Sequence, residues 1–170
     1  MIESPQAVRY VPAAGSTRPL YTAAAGRMLL AHQDPKWVEA YLRRTELKKV
    51  TERSITSLTR LREIIERTRR EGVSVTDGET VSGAAGCAAP IFGDDGTVDL
   101  AILIGAPRER FAQNAERMIV LVKEAAARAS AGAKPPAAEP PRKVRAGSPA
   151  GRPASASRGT PKSPPAPPAR

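Results

Sequence analysis

At 170 residues, 41% of them hydrophobic and 26% charged, the chain has the length and composition of one domain of ordinary size. Its formal charge of +10 is unevenly spread. Residues 133–170 hold eight basic residues and one Glu, leaving 19 basic and 16 acidic residues in 1–132, so the basicity belongs to the tail and does not mark a nucleic-acid-binding fold. A single cysteine excludes an internal disulfide and, with a single histidine, a Cys/His zinc cluster. No apolar run reaches the ~18 residues of a membrane span, and the first ten residues lack the basic and then apolar pattern of a secretory signal. The cytoplasm is therefore the expected location, with no membrane partner.

In chain order, "AVRYVP" alternates small or apolar with polar residues up to Pro12 and predicts a short strand. "PLYTAAAGRMLLAH" predicts a helix with Leu20, Ala24, Met28 and Ala31 on one stripe. A second helix follows in "DPKWVEAYLRR", with Asp34 as N-cap and Pro35 in the first turn. The clearest helix runs from about Ser57 to Glu71, where Leu58, Leu61, Ile64, Ile65 and Thr68 form the apolar stripe and Gly72 is the stop. "VSVTD", "GCAAPIF" and "TVDLAILIGAP" read as strands, the last two joined at "GDDG" as an antiparallel hairpin. A final helix after Pro107 places Phe111, Ala115, Met118, Val122 and Ala126 on one face. The fold class is α+β, a mostly antiparallel sheet covered by helices over residues 1–132. From Ala133 onward there are eleven of the seventeen prolines and no aromatic residue, a composition too poor in apolar surface to offset ordering, so 133–170 is expected to be a disordered tail.

The stretch "DGETVSGAAGCAAPIFGDDG", residues 77–96, allows three chemical readings. Catalysis would need Cys87 as nucleophile with His32, the only imidazole, as base; a small buried cysteine on an apolar strand is the simpler reading. A phosphate cradle is excluded because "GAAGCAA" has neither the Lys nor the Ser/Thr of a P-loop, and Gly83 and Gly86 lack dinucleotide spacing. The third reading is the wall of a pocket, where small residues leave volume for a ligand. Asp77 and Glu79 could be an acid–base pair, a metal site or a solvated turn; with no histidine nearby the turn is favoured. No enzyme activity and no cofactor is implied. His32 reads as a favourable charge at a helix C-terminus.

"VRYVPAAGSTRPLYTAAAGRMLLA", "LREIIERTRREGVSVTDGETVSGAAGCAAPIFGDDGTVDLAILIGAP" and the helix after them resemble, from about Val8 to Ser130, the effector-binding domain of the IclR family of bacterial transcription regulators. The resemblance implies a GAF-like α+β domain that binds a small organic effector, a carboxylic acid or aromatic catabolite, and forms homo-oligomers. It also implies a preceding helix-turn-helix, connecting helix and first strands. Met1 falls inside that pattern, so the sequence is expected to be either an N-terminally truncated regulator or an open reading frame assigned to a late start codon, without sequence-specific DNA binding of its own. Carried over position by position, the resemblance implies an effector site of Tyr10, Ala24, Thr76, Asp77, Gly86, Cys87, Leu103 and Gly105. Leu103 and Gly105 stand where many relatives have serines, so two hydroxyl donors are missing and the expected ligand is more apolar than usual, or binding has been lost. The alternative reading is an accessory protein whose basic tail contacts nucleic-acid phosphates without reading sequence.

Overall fold

A computed structural model describes residues 2, 5–11 and 15–132; the tail expected to be disordered lies outside the described residues. A 3-10 turn at Leu20–Thr22 leads into α1 (Ala24–His32), α2 (Pro35–Arg44) and α3 (Leu58–Glu71). Strands β1 (Ser74–Asp77), β2 (Ala84–Ile91) and β3 (Leu100–Pro107) follow, and α4 (Arg108–Ala131) closes the described chain. The strands form one antiparallel sheet in the order β1-β2-β3. The fold is α+β, with the hairpin and all four helices in the expected order.

Local chemistry explains the helix ends. Asp34 accepts hydrogen bonds from the amides of Lys36 (2.9 Å) and Trp37 (3.0 Å), and Pro35 sits where its missing N–H costs nothing. Ser57 caps α3 through the Arg60 amide, and Gly72 ends it in the left-handed region at φ 62°, a conformation an L side chain resists. The α3 stripe is buried at Leu61, Ile64, Ile65 and Thr68. Arg62 of α3 holds both carboxylate oxygens of Glu39 on α2, at 2.8 and 3.0 Å.

Because successive strand residues point to opposite faces, β2 sorts its side chains into two cores. Ala85, Cys87 and Ala89 pack with Ala106 of β3 and with Phe111, Val122 and Ala126 of α4. Ala88 packs on the other side with Ala24 and Met28 of α1. A third cluster behind α1 joins Leu30 and Ala31 to Val38, Leu42, Leu61 and Ile65, forming a helical layer. With both faces covered, β2 carries six consecutive buried residues, and its small side chains let helices approach from both sides.

Two expectations need correction. The segment "AVRYVP" is not a strand in its described residues 7–11. A strand needs a ladder partner for its backbone; here Val8 gives its carbonyl to Arg110 Nη1 (3.0 Å), while Val8 and Val11 stay exposed. The helix anticipated from Pro19 to His32 is broken at Ala23, which is extended (φ −125°, ψ 155°). The break lets the 3-10 turn fold back onto α1, so close that a β-carbon on Gly26 would lie 2.2 Å from the Leu20 carbonyl oxygen and 2.7 Å from its Cα.

That approach makes Gly26 irreplaceable. Although alanine has the higher helix propensity by ~1 kcal/mol, Gly26→Ala is expected to destabilise the domain by roughly 1 to 3 kcal/mol, because the obstructing atoms are backbone. Urea denaturation checks this; equal or greater stability in the alanine variant contradicts the close packing.

Candidate functional site

The register sets one row of residues across the sheet. Thr76 pairs with Gly86 and Gly86 with Gly105, so the three lie side by side on the face that looks toward α1. The next row on that face is Ser74, Ala88 and Leu103. Glycine at two of the three places in the first row leaves space above the sheet. A cavity of about 320 Å³ stands there, lined by Tyr10, Arg18, Ala24, Thr76, Gly86, Leu103 and Gly105 among others.

Six of the eight residues assigned to the effector site therefore border one cavity: Tyr10, Ala24, Thr76, Gly86, Leu103 and Gly105. Asp77 and Cys87 do not. Each is the strand neighbour of a cavity residue, Thr76 or Gly86, and a one-residue step turns the side chain to the opposite face. Cys87 is fully buried in the α4-facing core, away from the cavity, and burial pushes its thiol up to about 11, which disfavours the thiolate. Asp77 is held between two arginines, Arg108 Nε at 2.6 Å and Arg53 Nη1 at 2.7 Å. The Arg108 hydrogen bond, with the charges of Arg108 and Arg53, keeps its carboxyl below the ordinary carboxylate range. His32 meets the Met28 carbonyl through Nδ1 at 3.0 Å and the edge of Phe92.

Tyr10 reaches the cavity from the segment that forms no strand. A β-carbon on Gly105 would sit 3.2 Å from Tyr10 Cδ1, so a side chain there would press on the movable Tyr10 ring. The hydroxyls of Tyr10 and Thr76 make no hydrogen bond to a described residue.

Sequence reasoning missed Arg27 and Glu79 as partners. Arg27 is 1% exposed on α1; its Nε donates to the Tyr21 carbonyl (2.8 Å) and Nη2 pairs with Glu79 in the β1–β2 loop. A charge buried this far needs its partner, so the pair fixes the cavity wall formed by Glu79, Thr80 and Val81. Thr80 Oγ1 donates to the Thr22 carbonyl at 2.6 Å, while Ser54 Oγ (2.8 Å) and Thr51 Oγ1 (3.2 Å) donate to the Glu79 carbonyl. The signal available in the sequence was an arginine inside an otherwise apolar helix face.

Residues 1–131 match the family described as bacterial transcriptional regulator IclR C-terminal. The chain belongs to the IclR family. It is 32% identical over 127 residues to the HTH-type transcriptional regulator KdgR of Escherichia coli, an alignment covering 75% of this chain and 48% of that protein. An IclR transcriptional regulator from Alicyclobacillus acidocaldarius superposes with a TM-score of 0.70 at 32% identity, over 76% of this chain and 52% of the other. An IclR homologue from Microbacterium hydrocarbonoxydans, solved in complex with 4-hydroxybenzoate, gives a TM-score of 0.66 at 28% identity, over 75% and 51% of the two chains. The chain spans about half the length of the curated relatives it matches. Among the described residues no helix is long and apolar enough to cross a membrane, and no cluster of three or more His, Cys, Asp or Glu could hold a metal. These assignments make the domain the effector-binding part of the IclR architecture.

Asp77 supplies a pH-dependent test of the site's frame. Its folded-state pKa is depressed, so its contribution to stability is present above the ordinary carboxylate value of 3.8 and is lost as pH falls below it. With 44% of the side chain exposed, the contribution is about 1 kcal/mol or less. Denaturation of the wild type and Asp77→Asn should show a gap near pH 7 that narrows as pH falls below 3.8. A gap independent of pH contradicts the ionic role.

Proposed function

We propose that this domain binds a small organic acid in the cavity between Tyr10, the first turn of α1 and the Thr76–Gly86–Gly105 row, and that occupancy is the signal an IclR-type regulator reads. The carrying observation is the cavity floor: two glycines opposed across adjacent strands leave volume, and Tyr10 and Thr76 offer hydroxyls at its edge. Ala24 and Leu103 make the walls apolar, which suits an aromatic or short aliphatic body. Support comes from family membership and from the homologue crystallised with 4-hydroxybenzoate. The curated relatives are transcriptional regulators, and the domain has a sensing role rather than a catalytic one. A cytoplasmic location and self-association accord with that role.

Thermal stabilisation by a panel of small aromatic, 2-oxo and hydroxy acids, with less polar analogues, tests the reading. A ligand at a hundredfold excess over its Kd adds about 2.7 kcal/mol. Gly105→Val is the appropriate variant, since the atoms it meets belong to the movable Tyr10 ring. Ala24→Leu is not, because Ala24 is fully buried against Met28 and Ala88 and would lose stability without any ligand. Gly105→Val should keep the ligand-free melting temperature and lose the ligand-induced increment. Full stabilisation of the variant by the same acid places binding elsewhere, and no stabilisation of the wild type by any compound in the panel removes the sensor assignment.

A further inference from the structure

A second concavity of about 210 Å³ adjoins the first. Arg18, Thr22, Glu79 and Thr80 line both, so the two concavities share an edge and a ligand lying on the glycine floor has the second space beside it. The second concavity adds Arg27 and Lys48 to Arg18 and Glu79, giving it three cationic groups against one anionic group.

The donors there are not equally available. Thr22 Oγ1 donates to the Pro19 carbonyl (2.8 Å), Thr80 Oγ1 to the Thr22 carbonyl and Ser54 Oγ to the Glu79 carbonyl. Arg27 is neutralised by Glu79, and the nearby Arg53 and Arg108 are both engaged by Asp77. Arg18 and Lys48 are exposed and form no ion pair with a described residue. Arg27 Nη1, buried in the same wall, also lacks a hydrogen-bond partner among the described residues. The hydroxyls are thus committed within the fold, and the donors left for a ligand are cationic. The glycine floor carries no charge of its own, with apolar Ala24 and Leu103 beside it and only the Tyr10 and Thr76 hydroxyls at its edge.

We infer that the second concavity is an anion subsite, and that the ligand is an elongated acid with its apolar end over Gly86, Leu103 and Gly105 and its carboxylate between Arg18 and Lys48. This inference rests on the cavity reading above and names the polarity and direction of the molecule that fills it. It also explains how a carboxylate is held without the two serines: the charge partner moves from the sheet to the Arg18 segment. Because Arg18 and Lys48 are solvent-exposed, each contributes modestly, and the affinity they add is screened by salt.

Calorimetric titration of the full chain with 4-phenylbutanoate and with its uncharged amide tests the subsite. Wild type should bind the acid more tightly than the amide, and Arg18→Gln or Lys48→Gln should each weaken the acid by about three- to fivefold, the double variant by about tenfold or more. Amide affinity should be unchanged in all three variants, whose melting temperatures should match the wild type because neither side chain is paired with a described residue. Raising the salt concentration should weaken the acid only. Equal affinity for acid and amide, or variants that bind the acid as well as wild type, overturns the subsite; if Gly105→Val still abolishes both ligands, the cavity reading survives that result. No binding of either compound to wild type rejects the subsite as described here, whereas the cavity reading falls only if the wider acid panel also fails.

Discussion

The alternation of side chains along β2 is the constraint on which the domain depends. Every second residue, Ala85, Cys87 and Ala89, is committed to the α4 core, which leaves Gly86 and Ala88 to face α1. A strand buried on both sides by helices has little choice of size, and the run Ala-Ala-Gly-Cys-Ala-Ala reflects that crowding. The same crowding limits the cavity to the one place where glycine opposes glycine, Gly86 against Gly105. A β-carbon at Gly86 would lie 2.7 Å from the Ile104 carbonyl oxygen, so that position is closed to every other residue by the sheet itself. Gly105 meets only the Tyr10 ring, and is the position at which size can be exchanged for ligand volume.

Around this floor the walls are tied by charge. The β1–β2 loop has no regular structure of its own, yet Arg27–Glu79 anchors it to α1 and Arg53–Asp77–Arg108 anchors its start to the segment before α3 and to α4. Arg27 is buried and so its pairing is obligatory, whereas the Asp77 pairs are half-exposed and adjust the frame more than they create it. Family membership describes the architecture; these contacts describe how this chain sets the dimensions of its own site.

Much of this was legible in the residues. The cap at Asp34, the start of α3 near Ser57, the Gly72 stop and the hairpin across "GDDG" all rest on short-range chemistry, and each sits where that chemistry puts it. The break at Ala23 was not legible, because it is imposed by the Leu20 backbone against Gly26, a tertiary contact no propensity encodes. The segment around Tyr10 has the pattern of a strand but no partner in the ladder. Asp77 and Cys87 could have been separated from Thr76 and Gly86 by period-two alternation alone, since consecutive strand residues do not share a face. Arg27 was signalled by its place on an apolar helix face, but its partner Glu79, 52 residues away, could be identified only from the fold.

The central claim is that ligand sits on the α1-facing surface of the sheet and not on the α4-facing one. Methyl NMR of the full chain, titrated with the tightest-binding acid of the panel, measures this directly. The account predicts shifts at the methyls of Ala24, Thr76 and Leu103, with those of Ala89, Val122 and Ala126 unmoved. Shifts centred on Ala89, Val122 and Ala126, with the Thr76 and Leu103 methyls unchanged, would contradict it.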